Sequence, residues 1–234
     1  MTHQHELQGR TDSEILWYQR RDFLRAAAAW TALGGAATVQ AQQRGNIVQL
    51  VGDATVNGAR LRPEQTVQTG DELLTGPGSM LIFSIGNSAF HVRQNSRVVV
   101  ERGNTLLSVS LLRLLTGAVV SVWGRGNSRS IVTPTLTAGI RGTGVYTEIM
   151  GGQDNRTYFC NCYGTVQLDA GDNRQLSRAE YHEGYFSGGA GASPSIERGP
   201  AINHTDAELE FLAGLVNQRT AWQITGRKVK PAGY

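Results

Sequence analysis

The chain has 234 residues, of which 40% are hydrophobic, and its formal net charge is only +3. This length suits one domain with a small appendage, and the apolar share with regularly spaced turn residues excludes a disordered chain. The mild, scattered positive charge argues against a nucleic-acid-binding surface, two cysteines are too few for a disulfide-dense scaffold, and no apolar run reaches the ~20 residues of a membrane span.

Residues 1–41 have the organisation of an export signal. Arg20 and Arg21 are followed by Phe23 and Leu24, then by an Ala/Gly-rich stretch and a small-residue cleavage site. A positive pair, an apolar stretch and such a site are the three parts of a secretory signal. The arginine pair before Phe-Leu resembles the twin-arginine motif, which implies export in the folded state to the periplasm. The alternative is an ordinary amphipathic first helix.

A β domain is predicted over 42–186, because short β-rich runs alternate with turn residues every ~8–12 positions. Asn57 and Gly58 form the dipeptide that a type I′ hairpin turn prefers. The predicted strands are 46–53, 79–85, 88–93, 97–101, 106–115, 118–123 and 157–164. The leucine-rich run 106–115 could alternatively be a short helix. This spacing indicates a mainly β sandwich, barrel or roll of short antiparallel strands, with a short β-solenoid as the alternative.

A single helix is predicted near the C-terminus, after a Gly/Ser/Pro-rich linker over 187–201. Within 202–234, leucines recur at helical spacing from Leu209 onwards. Thr205 or Asp206 is the expected N-cap, with acidic residues in the first turn where they meet the positive end of the helix dipole. We expect this helix to pack its apolar stripe on the β domain.

Several blocks of the β region resemble the FecR domain. The segment 69–79 is similar to that family's G-D-x-L-x-T-G-x-x-S signature, and 139–146 is similar to its closing R-G-T block. The resemblance extends over about residues 46–168. The positions that match the family motifs, with an expected structural role, are Gly70, Asp71, Thr75, Gly76, Ser79, Arg141, Gly142 and Thr143.

The resemblance implies an exported β domain that receives a signal from an outer-membrane receptor. In the regulator of iron-citrate uptake that gives the family its name, a cytoplasmic segment and a membrane helix precede the domain. Here the leader directly precedes the β region, so we expect a protein without an anti-sigma segment. The segments 160–164 and 202–209 further resemble a stand-alone, twin-arginine-exported FecR subgroup. The implied partner is an envelope protein or a small ligand.

A Cys-x-Cys pair lies in the predicted strand 157–164. Residues two apart face the same side of a strand, so the thiols of Cys160 and Cys162 should point together. A disulfide between them is geometrically poor, and would be easily reduced if it formed. Two parallel thiols suit metal binding better, and His182 and His204 could fold back to complete a Cys₂His₂ site. Zinc is the favoured ion, with iron and copper as alternatives.

Other interpretations of these residues stay open. The cysteines could be buried free thiols that pack as small hydrophobes, or a redox-active pair. His204 could only flank the helix. We interpret His91 as a strand residue that points outward, and Arg141 as a buried hydrogen-bond anchor for loops.

The sequence motifs give no support for an enzymatic function. The chain has no G-x-S-x-G elbow, and the glycines of 139–144 stand in the wrong order for a dinucleotide turn. We therefore expect a non-enzymatic sensing or interaction domain of the cell envelope that binds no nucleic acid. The alternative function is a small metal-binding or redox protein built on the Cys-x-Cys pair.

Overall fold

The computed structural model describes residues 45–105, 108–126, 128–151, 156–188 and 195–228. The strands in these ranges are β1 (Ile47–Val51), β2 (Ala54–Val56), β3 (Ala59–Arg60), β4 (Glu72–Thr75), β5 (Met80–Ile85), β6 (Ser88–Val92), β7 (Arg97–Arg102), β8 (Val109–Thr116), β9 (Ala118–Trp123), β10 (Arg129–Val132), β11 (Thr137–Ile149), β12 (Thr157–Ala170), β13 (Asn173–Ala179), β14 (Glu183–Ser187) and β15 (Ile196–Gly199). The helices are α1 (Asp206–Leu215) and α2 (Ala221–Thr225). The predicted export signal lies outside the described residues.

All the described strands belong to one mixed sheet that curls into a half-barrel. Its order is β1-β5-β6-β9-β11-β10-β8-β7-β4-β2-β3, and β12 joins it through β11 while also pairing with β13 and β14. Neighbouring strands are antiparallel except for the parallel pair of β8 and β10. The predicted mainly β architecture is confirmed, and within the run 106–115 the residues 109–115 lie in strand β8 rather than in a helix.

The long strands β11 and β12 form the centre of the site-bearing half. They pair along their length, with a register shift between Arg141 and Gly144. Gly144 lies opposite Tyr163, and a Cβ at this glycine would come within 2.3 Å of the tyrosine ring. The absence of a side chain therefore lets the ring lie flat on the neighbouring strand. Strand β12 pairs with β14 through its first half and with β13 through its second half, and Cys162 lies at the change of partner.

Successive side chains of a strand point to opposite faces of the sheet, so the buried residues form two apolar clusters, one on each face. Phe83, Phe90 and Trp123 pack together in the first cluster. The second cluster lies on the opposite face of the sheet, where α1 and α2 cover it, and it contains both cysteines. On β12, Phe159 belongs to the first cluster and the residues on either side of it to the second, as the two-residue period of a strand requires.

The predicted C-terminal helix is confirmed as α1. Thr205 is its N-cap, and Thr205 and Glu208 form a reciprocal capping box. A second helix, α2, was not predicted from the sequence. It has only five residues, begins after the N-cap Thr220 and ends at Gly226 in the left-handed conformation. No helix among the described residues is long and apolar enough to cross a membrane.

Three expectations differ from the structure. His91 does not point outward but is 2% exposed, because β6 lies inside the sheet and α1 packs against its outer face. Arg141 is exposed rather than a buried anchor: Ile140 faces the first apolar cluster, so the next side chain turns to the other face, at the register shift. Within the predicted linker, Ile196–Gly199 form strand β15, which pairs with β14. Residues 189–194 of that linker lie outside the described residues.

Candidate metal centre

Four predicted ligands, which are far apart in the sequence, converge beneath the C-terminal helices. Cys160, Cys162, His182 and His204 each offer one ligand atom, and these atoms all lie within 4.8 Å of one another. All four side chains are buried, and both cysteines are free thiols. Every residue of the predicted Cys₂His₂ set is therefore found in one cluster.

Three parts of the chain bring the ligands together. The cysteines project from the same face of β12, as their spacing predicts. His182 lies in the connection between β13 and β14, and its backbone N–H donates to the carbonyl oxygen of Cys162 at 3.0 Å. His182 also has a φ of 29°, a left-handed conformation that few non-glycine residues adopt. His204 lies between β15 and α1, immediately before the N-cap Thr205.

The sulfur–nitrogen distances in the cluster are close to those around a single tetrahedral ion, whereas the nitrogen–nitrogen distance is shorter. The Sγ of Cys160 lies 3.7 Å from Nδ1 of His182, and the Sγ of Cys162 lies 3.4 Å from Nε2 of His204. The two facing nitrogens are 3.0 Å apart. Zn–S bonds of ~2.3 Å and Zn–N bonds of ~2.0 Å give ligand separations of roughly 3.3–3.8 Å at tetrahedral angles. One ion would thus fit with small side-chain movements.

The outer nitrogens of both histidines are held by hydrogen-bond acceptors. Nδ1 of His204 donates to the carbonyl oxygen of Ile202 at 2.6 Å. Nε2 of His182 donates to a carboxylate oxygen of Asp206 at 2.8 Å. The other oxygen of Asp206 accepts from Tyr181 Oη at 3.1 Å and from Lys228 Nζ at 2.5 Å. In the neutral rings the lone pairs therefore face the cluster, which is how metal-binding histidines are oriented by their surroundings.

The pKa values of the two thiols and of the His182 imidazole are shifted by burial and by neighbouring groups. Burial alone would raise the pKa of Cys160, but a hydrogen bond from Cys162 and the nearby imidazoles of His204 and His182 hold it well below its usual value. Burial and the neighbouring Cys160 sulfur raise the pKa of Cys162 well above its usual value. Burial would lower the pKa of His182, but Asp206 and Cys160 raise it to about 9. The pKa shifts of Cys160 and His182 have one shared cause, because each of these groups favours the charged form of the other.

Aromatic rings enclose the cluster. Tyr146 stacks on His204, with centroids 4.9 Å apart, and Trp222 of α2 stacks on His182 at 5.3 Å. The ring of Tyr181 meets His182 edge-on at 4.4 Å. These contacts leave the ligand side chains at most 3% exposed. The site is therefore closed to solvent, and four protein ligands would complete a tetrahedral coordination sphere.

Sequence reasoning identified the four residues of the cluster but missed the groups around them. Asp206 was predicted only as a possible N-cap. Its position two residues after His204 was the one sequence signal that it could lie beside the cluster. The carbonyl oxygen of Ile202 carries no side-chain signal. Trp222 was missed because the short helix that positions it was not predicted.

The residues of the FecR-like motifs are not part of this cluster, and several of them make hydrogen bonds in or beside turns. Thr75 Oγ1 donates to the carbonyl oxygen of Arg93 at 2.5 Å, and Ser79 Oγ accepts the backbone N–H of Asp53 at 2.9 Å. A carboxylate oxygen of Asp71 accepts the backbone N–H of Gln68 at 2.7 Å. The other motif positions also lie in or beside turns and the bulge of β11: Gly70, Gly76, Arg141, Gly142 and Thr143.

Comparison with known proteins finds two solved structures that are similar to part of the chain. Two solved structures of a "putative anti-sigma factor" from Parabacteroides distasonis ATCC 8503 match it, at 10% and 12% identity. Their TM-scores are 0.47 and 0.46, and the matches cover 56% and 58% of this chain and 60% and 62% of theirs. The chain thus spans about three fifths of the length of these structures. No family model and no curated protein matches the chain. The FecR resemblance stays a prediction from the sequence.

Proposed function

We propose that this protein binds one zinc ion through Cys160, Cys162, His182 and His204, and that the ion stabilises the fold. The observation that carries the proposal is the convergence of four buried ligand atoms within 4.8 Å. The orientation of both imidazoles by outer hydrogen bonds supports it.

The donor set favours zinc over the alternatives. Two thiolates and two imidazoles in a closed tetrahedron are typical of structural zinc sites, whereas catalytic sites keep an open position. Copper and iron can bind the same donors, so they remain the alternative ions. The ion would join β12, the connection between β13 and β14, and the start of α1. Its binding free energy would therefore add to the stability of the C-terminal region.

The experiment is elemental analysis of protein purified anaerobically without a histidine tag. We expect about one zinc ion per wild-type chain, and none in the Cys160→Ser/Cys162→Ser variant. Thr165→Ser, a conservative change on the same strand, is the matched control and should keep its metal. Absence of metal from all three proteins, with two titratable thiols in the wild type, would contradict the proposal.

We also propose that the protein is exported in its folded, metal-loaded state. Support comes from the sequence, in which Arg20 and Arg21 precede an apolar stretch and a cleavage site. The twin-arginine route would let the buried site load before export. Arg20→Lys/Arg21→Lys should retain the protein in the cytoplasm, whereas the control Arg25→Lys should be exported. Equal periplasmic amounts of both variants would contradict this route.

A second candidate function is the binding of a small ligand or an envelope partner by a sensing domain without catalytic activity. An open cavity of about 560 Å³ favours it, lined by Arg125, Arg219, Glu180 and Ile224 among others. The guanidinium of Arg125 makes no hydrogen bond or ion pair with any described residue. An anionic probe, 8-anilinonaphthalene-1-sulfonate, should bind the wild type more tightly than Arg125→Gln. The control Arg62→Gln should match the wild type, and equal binding by all three would contradict a role for this cavity.

A further inference from the structure

A buried ion pair lies at the first turn of α1, next to the proposed metal centre. The Arg93 guanidinium donates to the carboxylate of Glu208, and both side chains are at most 5% exposed. Nδ1 of His91 lies 3.5 Å from the same carboxylate. Arg93 immediately follows β6, whereas Glu208 belongs to α1, so the pair joins the helix to the interior of the sheet.

Glu208 also holds the backbone next to a metal ligand. Its Oε2 accepts the backbone N–H of Thr205 at 2.8 Å and the hydroxyl of Thr205 at 3.0 Å. Thr205 directly follows His204. The carboxylate that binds Arg93 therefore also fixes the backbone of Thr205, the residue between His204 and the first residue of α1.

Arg93 reaches the same ligand by a second path, through an aromatic ring. Its guanidinium carbon lies 5.5 Å from the centre of the Tyr146 ring, within the range of a cation–π contact. Tyr146 in turn stacks on the imidazole of His204. Its hydroxyl donates to Glu148 at 2.9 Å, and Glu148 also accepts from the amide of Asn203 at 2.8 Å. The ring and the backbone of His204 are thus both held by neighbours of this ion pair.

We propose that Arg93 and Glu208 are positioning residues for the metal ligand His204. The proposal rests on the proposed function, since it assigns these residues a role in metal affinity. A buried ion pair is weak evidence for added stability, because the cost of removing both charges from water offsets their attraction. Its two paths to His204 instead indicate that the pair fixes the geometry of one ligand.

The test compares zinc affinity, measured by chelator competition, in matched variants. Glu208→Gln keeps a residue that a capping box accepts but removes the charge that Arg93 binds. We expect its zinc affinity to fall by about 10-fold, the low end of the 10- to 100-fold cost of losing a direct outer partner of a metal ligand, because Glu208 acts on His204 through Thr205. Glu101→Gln, which breaks the half-exposed pair with Arg113, is the control and should keep wild-type affinity.

A double variant separates positioning from stability. Arg93→Met/Glu208→Met removes both charges, and apolar replacement of a buried ion pair often preserves or raises stability. We expect it to fold, with its loss of stability confined to the capping-box contacts of Glu208 with Thr205, and still to bind zinc weakly. Recovery of wild-type affinity in this variant, or unchanged affinity in Glu208→Gln, would overturn the proposal.

A readout in metal-free protein keeps the two proposals distinguishable. Imidazole ¹⁵N spectra report which nitrogen of His204 carries the proton, and the bond to the Ile202 carbonyl requires it on Nδ1. We expect this tautomer in the wild type and a mixture in Glu208→Gln. If zinc titration shows no binding to the wild type, the proposed function is contradicted, whatever the tautomer of His204. An unchanged tautomer in Glu208→Gln would separately overturn the positioning role.

Discussion

Asp206 forms hydrogen bonds with three side chains around the proposed metal centre. In metal-free protein, its negative charge should contribute most to the stability of the fold at acidic pH. Its carboxylate accepts hydrogen bonds from His182, Tyr181 and Lys228. Together with Cys160, it raises the pKa of His182 to about 9, from an ordinary value of 6.5. The substitution Asp206→Asn keeps the shape of the side chain and removes this charge. It should therefore return the pKa of His182 towards or below its ordinary value.

The sign of the stability change follows from the direction of the shift. A histidine whose folded pKa is raised stabilises the fold fully below pH 6.5, where both states are protonated, and this stabilisation is lost as the pH rises to about 9. The interval between those values corresponds to about 3 kcal/mol. Because Cys160 contributes part of it, we expect Asp206→Asn to lose about 1–2 kcal/mol below pH 6.5. The loss should be smaller above pH 9, where only the contacts of Asp206 with Tyr181 and Lys228 remain.

The assay is urea unfolding of metal-free, reduced protein at about pH 6 and about pH 9.5, where the two regimes are well separated. Asp172→Asn, at the exposed turn between β12 and β13, is the control and should behave as the wild type at both values. NMR titration of His182 in both variants supplies the folded pKa directly. A loss of stability in Asp206→Asn that is equal at the two pH values would refute this reasoning, as would an unchanged pKa of His182.

Three further substitutions test the packing around the site by denaturant unfolding. Gly144→Ala should cost about 1–3 kcal/mol, because its Cβ would lie 2.3 Å from the Tyr163 ring; Gly151→Ala has open space around it and should cost less than about 1 kcal/mol, so equal losses would contradict the contact. Leu209→Ala should cost about 2–5 kcal/mol, because this side chain is fully buried between α1 and the sheet, and a loss below about 1 kcal/mol would contradict that packing. Thr205→Ala should cost about 1 kcal/mol through loss of the N-cap, and unchanged stability would contradict the capping box.

Local patterns predicted much of this fold. Asn57 and Gly58 both adopt positive φ, as the hairpin prediction requires, and the leucine spacing with Thr205 identified α1. The parallel pairing of β8 and β10 could not be predicted in this way, because it joins strands that are not consecutive. Strand β11 was not predicted and β12 was predicted only to Gly164, since glycines within both strands resemble turn signals.

For the proposed metal centre too, contacts between residues close in sequence could be predicted, whereas contacts between distant segments could not. The two-residue spacing of Cys160 and Cys162 predicted a shared strand face, and both thiols point into the second apolar cluster. The burial of His91 depends on a helix that follows more than a hundred residues later. Likewise, the roles of Asp206 and Trp222 depend on where the chain returns to the sheet. Pattern alone does not contain that information.

The most direct test of the metal centre is X-ray absorption spectroscopy at the zinc edge, on metal-loaded wild-type protein. We expect a four-coordinate ion with two sulfur neighbours at ~2.3 Å and two nitrogen neighbours at ~2.0 Å. Replacement of His204 by Gln should remove one nitrogen neighbour and leave both sulfurs. A coordination sphere of oxygen or of only one sulfur would contradict a Cys₂His₂ centre built on Cys160, Cys162, His182 and His204.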